Sequence, residues 1–148
     1  MTTTKMDDDT LRRKIIGVWK LVSVTYEDVA TKARTPALGA LPRGRQIITA
    51  QGHWITLGTA EGRRTPMTDN ERARGLQSMV AYTGHYRVAD GKVITTIDAA
   101  WNEGWVGTEQ VRYISFANDR LYVESPPMPH PNVNDRTMRV IVVWERDK

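Results

Sequence analysis

The amino-acid sequence predicts an all-β domain, an antiparallel barrel or sandwich with a short N-terminal helical turn and one longer helix. Two observations support this fold class. Short segments that alternate between apolar and polar residues follow one another along most of the chain, and turn signals separate them. Helical spacing behind a capping box occurs only near residues 69–80. Short strands joined by turns are typical of barrels and sandwiches.

Composition limits the classes of protein to which the chain can belong. Its 148 residues correspond to one domain, 1–148, of which we expect 1–9 to be flexible. The absence of cysteine excludes disulfides and thiolate catalysis. The net charge of +4 comes from dispersed basic residues without interleaved aromatics, so we expect no nucleic-acid partner. No apolar run reaches the roughly 20 residues of a membrane span, and the polar N-terminus is unlike a signal peptide, which predicts a cytoplasmic protein.

The first elements are a helical turn and a strand. Asp7–Asp9, with Thr10 as a cap, precede an apolar segment that ends at Gly17, which predicts the short helical turn. Alternating residues then predict a strand over Val18–Tyr26. Residues 27–44 contain two prolines and two glycines, which predicts a long loop of the kind that often serves as a lid.

The central part of the chain predicts a hairpin followed by the longer helix. Gly52 ends a three-residue turn, Ala50–Gly52, between two alternating segments. Thr68 and Glu71 form the capping box of a helix that we expect over Asp69–Val80.

The remaining sequence predicts strands alone. One hairpin turns at Asp90–Gly91, and the next turns at Asn118–Asp119, which pairs Phe116 with Leu121. A proline-rich loop then carries His130, which we expect to be an ordinary surface histidine, and a last strand follows.

Four segments resemble the bacterial lipocalin-like domain family. "GVWKLVS" is similar to the Gly-x-Trp strand of lipocalins, and "AYTGHYRV" to a Tyr-x-Gly-x-Tyr strand of the family. "WVGTEQVRY" is the most specific segment, and "VVWERDK" carries a terminal Trp-Glu-Arg. The resemblance implies an antiparallel lipocalin-like, calycin-type β-barrel that holds a small hydrophobic ligand, and by analogy a homodimer. Some relatives carry two histidines where this chain has Thr95 and Thr96, so no role that rests on those histidines transfers.

Strand alternation sorts side chains into an inner and an outer face. The apolar, inner face of the first C-terminal hairpin carries Tyr82, Tyr86, Thr95 and Trp101. His85 and Asp98 then lie outside, where they form a surface pair rather than a catalytic dyad. Family matching places Trp54 inside, although Ile55 and Leu57 make its own hairpin apolar on both faces. We expect Trp19 to close the barrel floor, with Arg139 or Arg146 packed against it.

Arg112 is the most informative of the predicted interior residues. A guanidinium inside a barrel is unfavourable unless it is paired or hydrogen-bonded. One explanation is structural, an internal ion pair or a plug that packs on tryptophan. Another is functional, an anchor for a carboxylate, phenolate or carbonyl oxygen of a ligand. A slip of the strand register is the third.

The leading hypothesis is a barrel that binds a small apolar or aromatic molecule with a polar head. Arg112 and Gln110 would hold the head. The walls would consist of Trp54, Tyr82, Tyr86, Thr95 and Trp101.

The alternative hypothesis is an isomerase, cyclase or lyase that acts on a small hydrophobic metabolite in the same cavity. Its proton-transfer group would be Tyr82, Tyr86 or Glu103. The three histidines lack metal-ligand spacing, and the sequence has no P-loop, dinucleotide fingerprint or nucleophile elbow. We therefore expect no metal and no cofactor.

Overall fold

The structure of the protein is a computed structural model that describes residues 6–148. Residues 1–5, which make up most of the segment predicted to be flexible, lie outside the described residues. The helices are α1 (Asp8–Ile15) and α2 (Asp69–Gln77), with short 3-10 helices at Glu103–Trp105 and Pro131–Val133. The strands are β1 (Gly17–Asp28), β2 (Arg34–Pro36), β3 (Arg43–Ile48), β4 (His53–Thr59), β5 (Met79–Ala89), β6 (Lys92–Ala100), β7 (Glu109–Ala117), β8 (Arg120–Glu124), β9 (Met128–His130) and β10 (Arg136–Arg146).

Eight of these strands close into an antiparallel barrel. Their order around the barrel is β1-β3-β4-β5-β6-β7-β8-β10, and β10 pairs back with β1. The short strands β2 and β9 extend β1 and β10 at one end. The predicted all-β barrel, with an N-terminal helical turn and one further helix, is therefore confirmed.

Helix α1 lies at the barrel end that carries the tight turns, which we call the floor. The helix begins at Asp8, and its cap is Asp7 rather than Thr10, because the Asp7 carboxylate accepts a hydrogen bond from the Thr10 backbone nitrogen at 2.8 Å. Leu11 and Ile15 are buried from α1. Part of the segment predicted to be flexible, Asp8 and the residue after it, thus belongs to a helix.

Trp19 closes the floor from inside the barrel. Its indole nitrogen donates a hydrogen bond to the Ile15 carbonyl oxygen at 2.9 Å, and the Arg146 guanidinium lies 4.0 Å from the centre of its ring. Arg146, rather than Arg139, is therefore the arginine that packs against Trp19. Arg139 forms an ion pair with Glu27 at 3.1 Å near the other end.

Helix α2 is shorter than the sequence predicts. It begins with the expected capping box, in which the Thr68 hydroxyl accepts a hydrogen bond from the Glu71 backbone nitrogen at 3.1 Å, and it ends at Gln77. Met79 and Val80 instead form the start of β5, opposite β4. The helix buries no side chain, so the backbone ladder with β4 determines where it ends.

A β-bulge interrupts the alternation on which the predicted inner face of the β5–β6 hairpin depends. Thr83 pairs with Ala99 and Gly84 pairs with Ile97, which leaves Asp98 without a partner opposite it. A Cβ atom on Gly84 would lie 2.2 Å from the Thr96 carbonyl oxygen, so the bulge requires glycine there. Beyond the bulge the faces exchange, and side chains past Asp98 lie one position out of the predicted register.

Candidate functional site

The barrel interior encloses a cavity of about 40 Å³. Its walls are mostly apolar, and its polar side chains are Gln46, Thr56, Tyr82, Arg112 and His130, together with the indoles of Trp105 and Trp144. A cavity of this size has room for about one water molecule, because water occupies about 30 Å³ in the liquid. Ligand pockets usually measure about 300–1,000 Å³, so this cavity is much smaller than an ordinary ligand pocket.

Arg112 projects from β7 into this cavity and is 6% exposed. Its Nη1 donates to the Val111 carbonyl oxygen at 2.8 Å, its Nη2 donates to Gln110 Oε1 at 3.3 Å, and its guanidinium lies 5.9 Å from the Trp105 ring centre. Within residues 6–148 no carboxylate forms an ion pair with it. Burial lowers the pKa of Arg112, and the neighbouring Tyr82 phenol opposes this shift. Arg112 is thus a buried cation held by neutral acceptors.

Two further donors face the interior without an acceptor. Gln46 and Thr56 lie opposite each other on β3 and β4, and the Thr56 hydroxyl donates to Gln46 Oε1 at 3.2 Å. With the amide in that orientation, Gln46 Nε2 is buried without a partner in the described structure, and so is Trp144 Nε1. A buried donor without a partner costs about 1–3 kcal/mol. Both donors are therefore available to an acceptor that enters the barrel.

His130 is buried at the barrel mouth, the end opposite the floor, and is 1% exposed. Its ring centre lies 4.7 Å from that of Tyr26 and 6.0 Å from that of Trp105. Its Nδ1 accepts a hydrogen bond from the Asn132 backbone nitrogen at 3.2 Å, so the neutral ring carries its proton on Nε2. Burial, with a smaller contribution from Arg112, lowers the pKa of His130 from 6.5 to about 4. The prediction of a surface histidine is wrong.

The mouth is covered by a segment of the predicted long loop. Leu38 is 1% exposed and lines the cavity from above. The Glu61 carboxylate holds the neighbouring backbone, since its Oε1 accepts from the Ala40 nitrogen at 2.5 Å and from the Leu41 nitrogen at 3.2 Å. Gly39 allows this close approach, because a Cβ there would lie 2.6 Å from Glu61 Oε1. Leu38 and the two residues after Gly39 therefore form a lid that Glu61 holds through its carboxylate and through its backbone nitrogen, which donates to the Leu38 carbonyl oxygen at 3.2 Å.

Comparison with known proteins assigns this barrel to a family. Residues 16–147 match the lipocalin-like domain, a span that includes all eight barrel strands and every cavity residue named above. The chain belongs to the lipocalin-like domain family. No curated protein matches the sequence significantly.

The lipocalin-like domain places two of its predicted ligand-binding residues, Arg112 and Tyr82, in the cavity wall. Gln110 lies behind Arg112, where its Oε1 accepts from the guanidinium and its Nε2 donates to Thr108 Oγ1 at 2.9 Å. Trp54 is fully buried, which confirms the predicted inward face of its strand, and its Nε1 donates to the Tyr82 hydroxyl at 3.3 Å. Gln110 and Trp54 thus position Arg112 and Tyr82, the two predicted residues that line the cavity.

The remaining predicted residues of the lipocalin-like domain lie away from the cavity. Thr95 is buried with no partner for its hydroxyl in the described structure, and the half-buried Tyr86 donates to the Thr49 carbonyl oxygen at 2.7 Å. Burial raises the pKa of Tyr86. Trp101 follows the end of β6 and is half-buried, while Glu103 is exposed at the start of the 3-10 helix.

Two of the three histidines, His53 and His85, lie on the outer surface of the barrel. His85 is exposed, and its ring centre lies 4.9 Å from that of His53 on β4. Asp98 is also exposed and accepts a hydrogen bond from the Thr83 hydroxyl. Residues 6–148 contain no group of three or more His, Asp or Glu side chains placed to hold a metal ion. Neither helix in that part of the chain has the length and hydropathy of a membrane span.

A wider groove of about 960 Å³ lies outside the floor of the lipocalin-like domain and is open to solvent. It is lined by charged residues near the C-terminal end, and Lys14 Nζ lies 4.3 Å from the Phe116 ring centre within it. The groove is larger than the interior cavity, yet two of the buried donors without partners in the described residues, Gln46 Nε2 and Trp144 Nε1, belong to side chains that line the interior cavity, and none belongs to a groove residue. We therefore place the candidate site inside the barrel.

Proposed function

We propose that this lipocalin-like domain binds a small, mostly apolar molecule inside the barrel, with the polar head of the ligand at Arg112. The buried guanidinium without a carboxylate partner in residues 6–148 is the observation that carries the proposal. A buried charge without a counter-ion costs stability, and a ligand oxygen supplies the missing acceptor. Trp105 over Arg112 also fits a structural plug, and the two roles predict different outcomes.

A ligand of ordinary size enters this barrel after the lid has moved. The cavity of about 40 Å³ is bounded by Leu38, whose loop is tied down at its far side by Glu61. Displacement of Leu38 extends the cavity toward the mouth, between the apolar side chains of Val24 and Val140. The head of the ligand then lies at Arg112, and its apolar body replaces the side chain of Leu38.

Arg112→Met is expected to weaken the binding of 2-naphthoate by about 10- to 100-fold, because a hydrogen bond to a charged group contributes about 1.5–3 kcal/mol. We expect its free energy of unfolding to stay within about 1 kcal/mol of wild type or to rise, since the variant no longer buries an unpaired charge. Isothermal titration calorimetry and urea denaturation measure the two quantities.

Arg120→Met is the matched control, because Arg120 is an exposed arginine of the floor groove. It should leave both the affinity and the stability unchanged. A structural plug gives the opposite pattern for Arg112→Met, a less stable protein with unaltered affinity. Weaker binding in the Arg120 variant would place the ligand in the groove.

The second candidate function is a metal- and nucleotide-independent isomerase, cyclase or lyase of small hydrophobic metabolites. The specific observation in its favour is that Tyr82 and His130 line the same cavity as Arg112. A phenol and an imidazole beside a cation are sufficient to move a proton next to a carbonyl group whose oxygen the cation stabilises.

Proton movement of this kind is measurable as deuterium exchange. If the second function holds, the protein in D₂O should exchange the methyl protons of 2-acetylnaphthalene faster than buffer does, and Tyr82→Phe should slow the exchange about 100-fold or more. Tyr113→Phe, which alters an exposed tyrosine on β7, serves as the control. Exchange at the buffer rate would leave binding as the sole function of the cavity.

The homodimer and the cytoplasmic location stay predictions. Val18, Ile47 and Ile55 are exposed and lie opposite one another on three neighbouring strands. This row offers a second copy an apolar surface to cover.

A further inference from the structure

We infer that the polar head of the ligand is a carboxylate, bound by a cage of hydrogen-bond donors from Arg112, Gln46, Trp144 and His130. This inference rests on the proposed binding function and adds the chemical class of the head to it. The three residues beyond Arg112 come from separate elements, β3, β10 and β9. All four line the interior cavity described above.

Two side chains of the cavity wall carry hydrogen-bond donors that have no acceptor in the described structure. Gln46 Nε2 and Trp144 Nε1 are buried donors without partners in the described structure. An indole nitrogen can only donate, and Gln46 Oε1 accepts from the Thr56 hydroxyl at 3.2 Å while Nε2 has no partner in the described structure. A ligand acceptor relieves the cost of both buried donors, whereas an amine or another donor leaves them unpaired.

A backbone hydrogen bond fixes the tautomer of the neutral His130 ring. The Asn132 N–H group donates to Nδ1 at 3.2 Å, so the neutral imidazole presents an N–H group at Nε2. The ring is held between Tyr26 and Trp105, with centres at 4.7 and 6.0 Å. His130 therefore adds a further donor to the cavity wall.

The described lining of the cavity carries a net positive charge. Arg112 is the one cation among its described lining residues, provided His130 is neutral, and no Asp or Glu lines it. Two buried acidic residues near the mouth, Glu27 and Asp28, already pair with arginines of β2 and β10. A head of charge −1 neutralises the site. A carboxylate offers about four acceptor positions on two oxygens, which matches donors from four side chains.

Four naphthalene compounds with different heads test the class of the head by isothermal titration calorimetry. These are 2-naphthoate, methyl 2-naphthoate, 2-naphthol and (2-naphthylmethyl)ammonium. At pH 7.5 we expect 2-naphthoate to bind about 10- to 100-fold more tightly than the ester and the naphthol, with weaker binding still for the ammonium compound.

This experiment separates a wrong head group from the absence of ligand binding. Equal affinity for all four compounds, or a preference for the naphthol, overturns the carboxylate assignment and leaves a binding barrel. No binding by any of them overturns the proposed function itself.

Trp144→Phe tests the cage independently of Arg112. It removes an indole N–H group without a protein acceptor, so we expect the preference for 2-naphthoate over its ester to fall about 10-fold with no loss of thermal stability from that group. Trp19→Phe is the matched control, because it removes an indole N–H group that is bonded to the Ile15 carbonyl oxygen. The control should lower the melting temperature and keep the preference.

Gln46→Leu provides a second variant that also removes a donor without a partner. It should reduce the same preference by a similar factor. If Trp144→Phe and Gln46→Leu both bind the two compounds with the wild-type preference, the cage does not recognise the head and the inference fails.

Discussion

Leu38→Ala is expected to lower the free energy of unfolding by about 2–5 kcal/mol. The Leu38 side chain is 1% exposed and belongs to the main hydrophobic core, where it packs beside Gly58. Truncation removes buried methyl groups and leaves a larger void above the cavity, because the surrounding strands cannot collapse into it. Urea denaturation followed by tryptophan fluorescence measures the change.

The same substitution is expected to accelerate ligand entry. Because the Leu38 side chain bounds the cavity at the mouth, its removal leaves part of the ligand path open without movement of the lid. Stopped-flow mixing with 2-naphthoate should show a higher association rate constant for the variant than for wild type.

Leu41→Ala is the control for both measurements, because Leu41 lies in the same loop but is 74% exposed. It should change the free energy of unfolding by less than about 0.5 kcal/mol and leave the association rate unaltered. An unchanged association rate in the Leu38 variant would show that the ligand enters by another route.

Acidification is expected to destabilise the protein through His130. In the folded state its pKa is about 4, below the value of 6.5 for a free histidine. The unfolded state therefore binds more protons between these two values, and stability is complete above pH 6.5 and is lost as the pH falls toward 4. The loss from this one group amounts to about 2 kcal/mol at pH 5 and about 3 kcal/mol at pH 4.

His130→Asn isolates this contribution. The Asn side-chain oxygen can accept the hydrogen bond from the Asn132 N–H group, as Nδ1 does in the native protein, but the residue does not titrate. Denaturation curves at pH 7.5, 6, 5 and 4 should show a smaller loss of stability for this variant, by the amounts given above. His85→Asn, at an exposed position, should follow wild type. Parallel curves for His130→Asn and wild type would refute the buried, neutral histidine.

The barrel and the position of Arg112 could be predicted because they depend on local rules. Side chains alternate with a period of two along a strand, so Arg112 stood out as a charge on an apolar face. The turn at Asn118–Asp119 set the register, and the predicted pair of Phe116 with Leu121 is confirmed. Both turn residues have positive φ, as that tight turn requires.

The residues that complete the site could not be predicted from local rules. Trp105 lies in a 3-10 turn, where neither the helical nor the strand period applies, so alternation assigns its side chain to neither face. His130 is buried because β9 pairs with β10 and brings its ring against Tyr26, contacts between distant parts of the chain. That Gln46 and Trp144 lack partners is evident only once every neighbouring acceptor has been located.

Asn132 joins three segments at one side of the barrel mouth through hydrogen bonds. Its Nδ2 donates to the Met79 carbonyl oxygen at 2.9 Å, its Oδ1 accepts from Trp101 Nε1 at 3.4 Å, and its backbone N–H group binds His130. Asn132 thus links three segments of the rim through its side chain and its backbone. Across the opening, Glu61 holds the loop after Leu38, because its carboxylate accepts from the Ala40 and Leu41 backbone nitrogens and its backbone nitrogen donates to the Leu38 carbonyl oxygen. Loss of the Asn132 side chain would therefore release Met79 and Trp101 from the rim, whereas loss of the Glu61 side chain would leave the backbone bond to Leu38 in place.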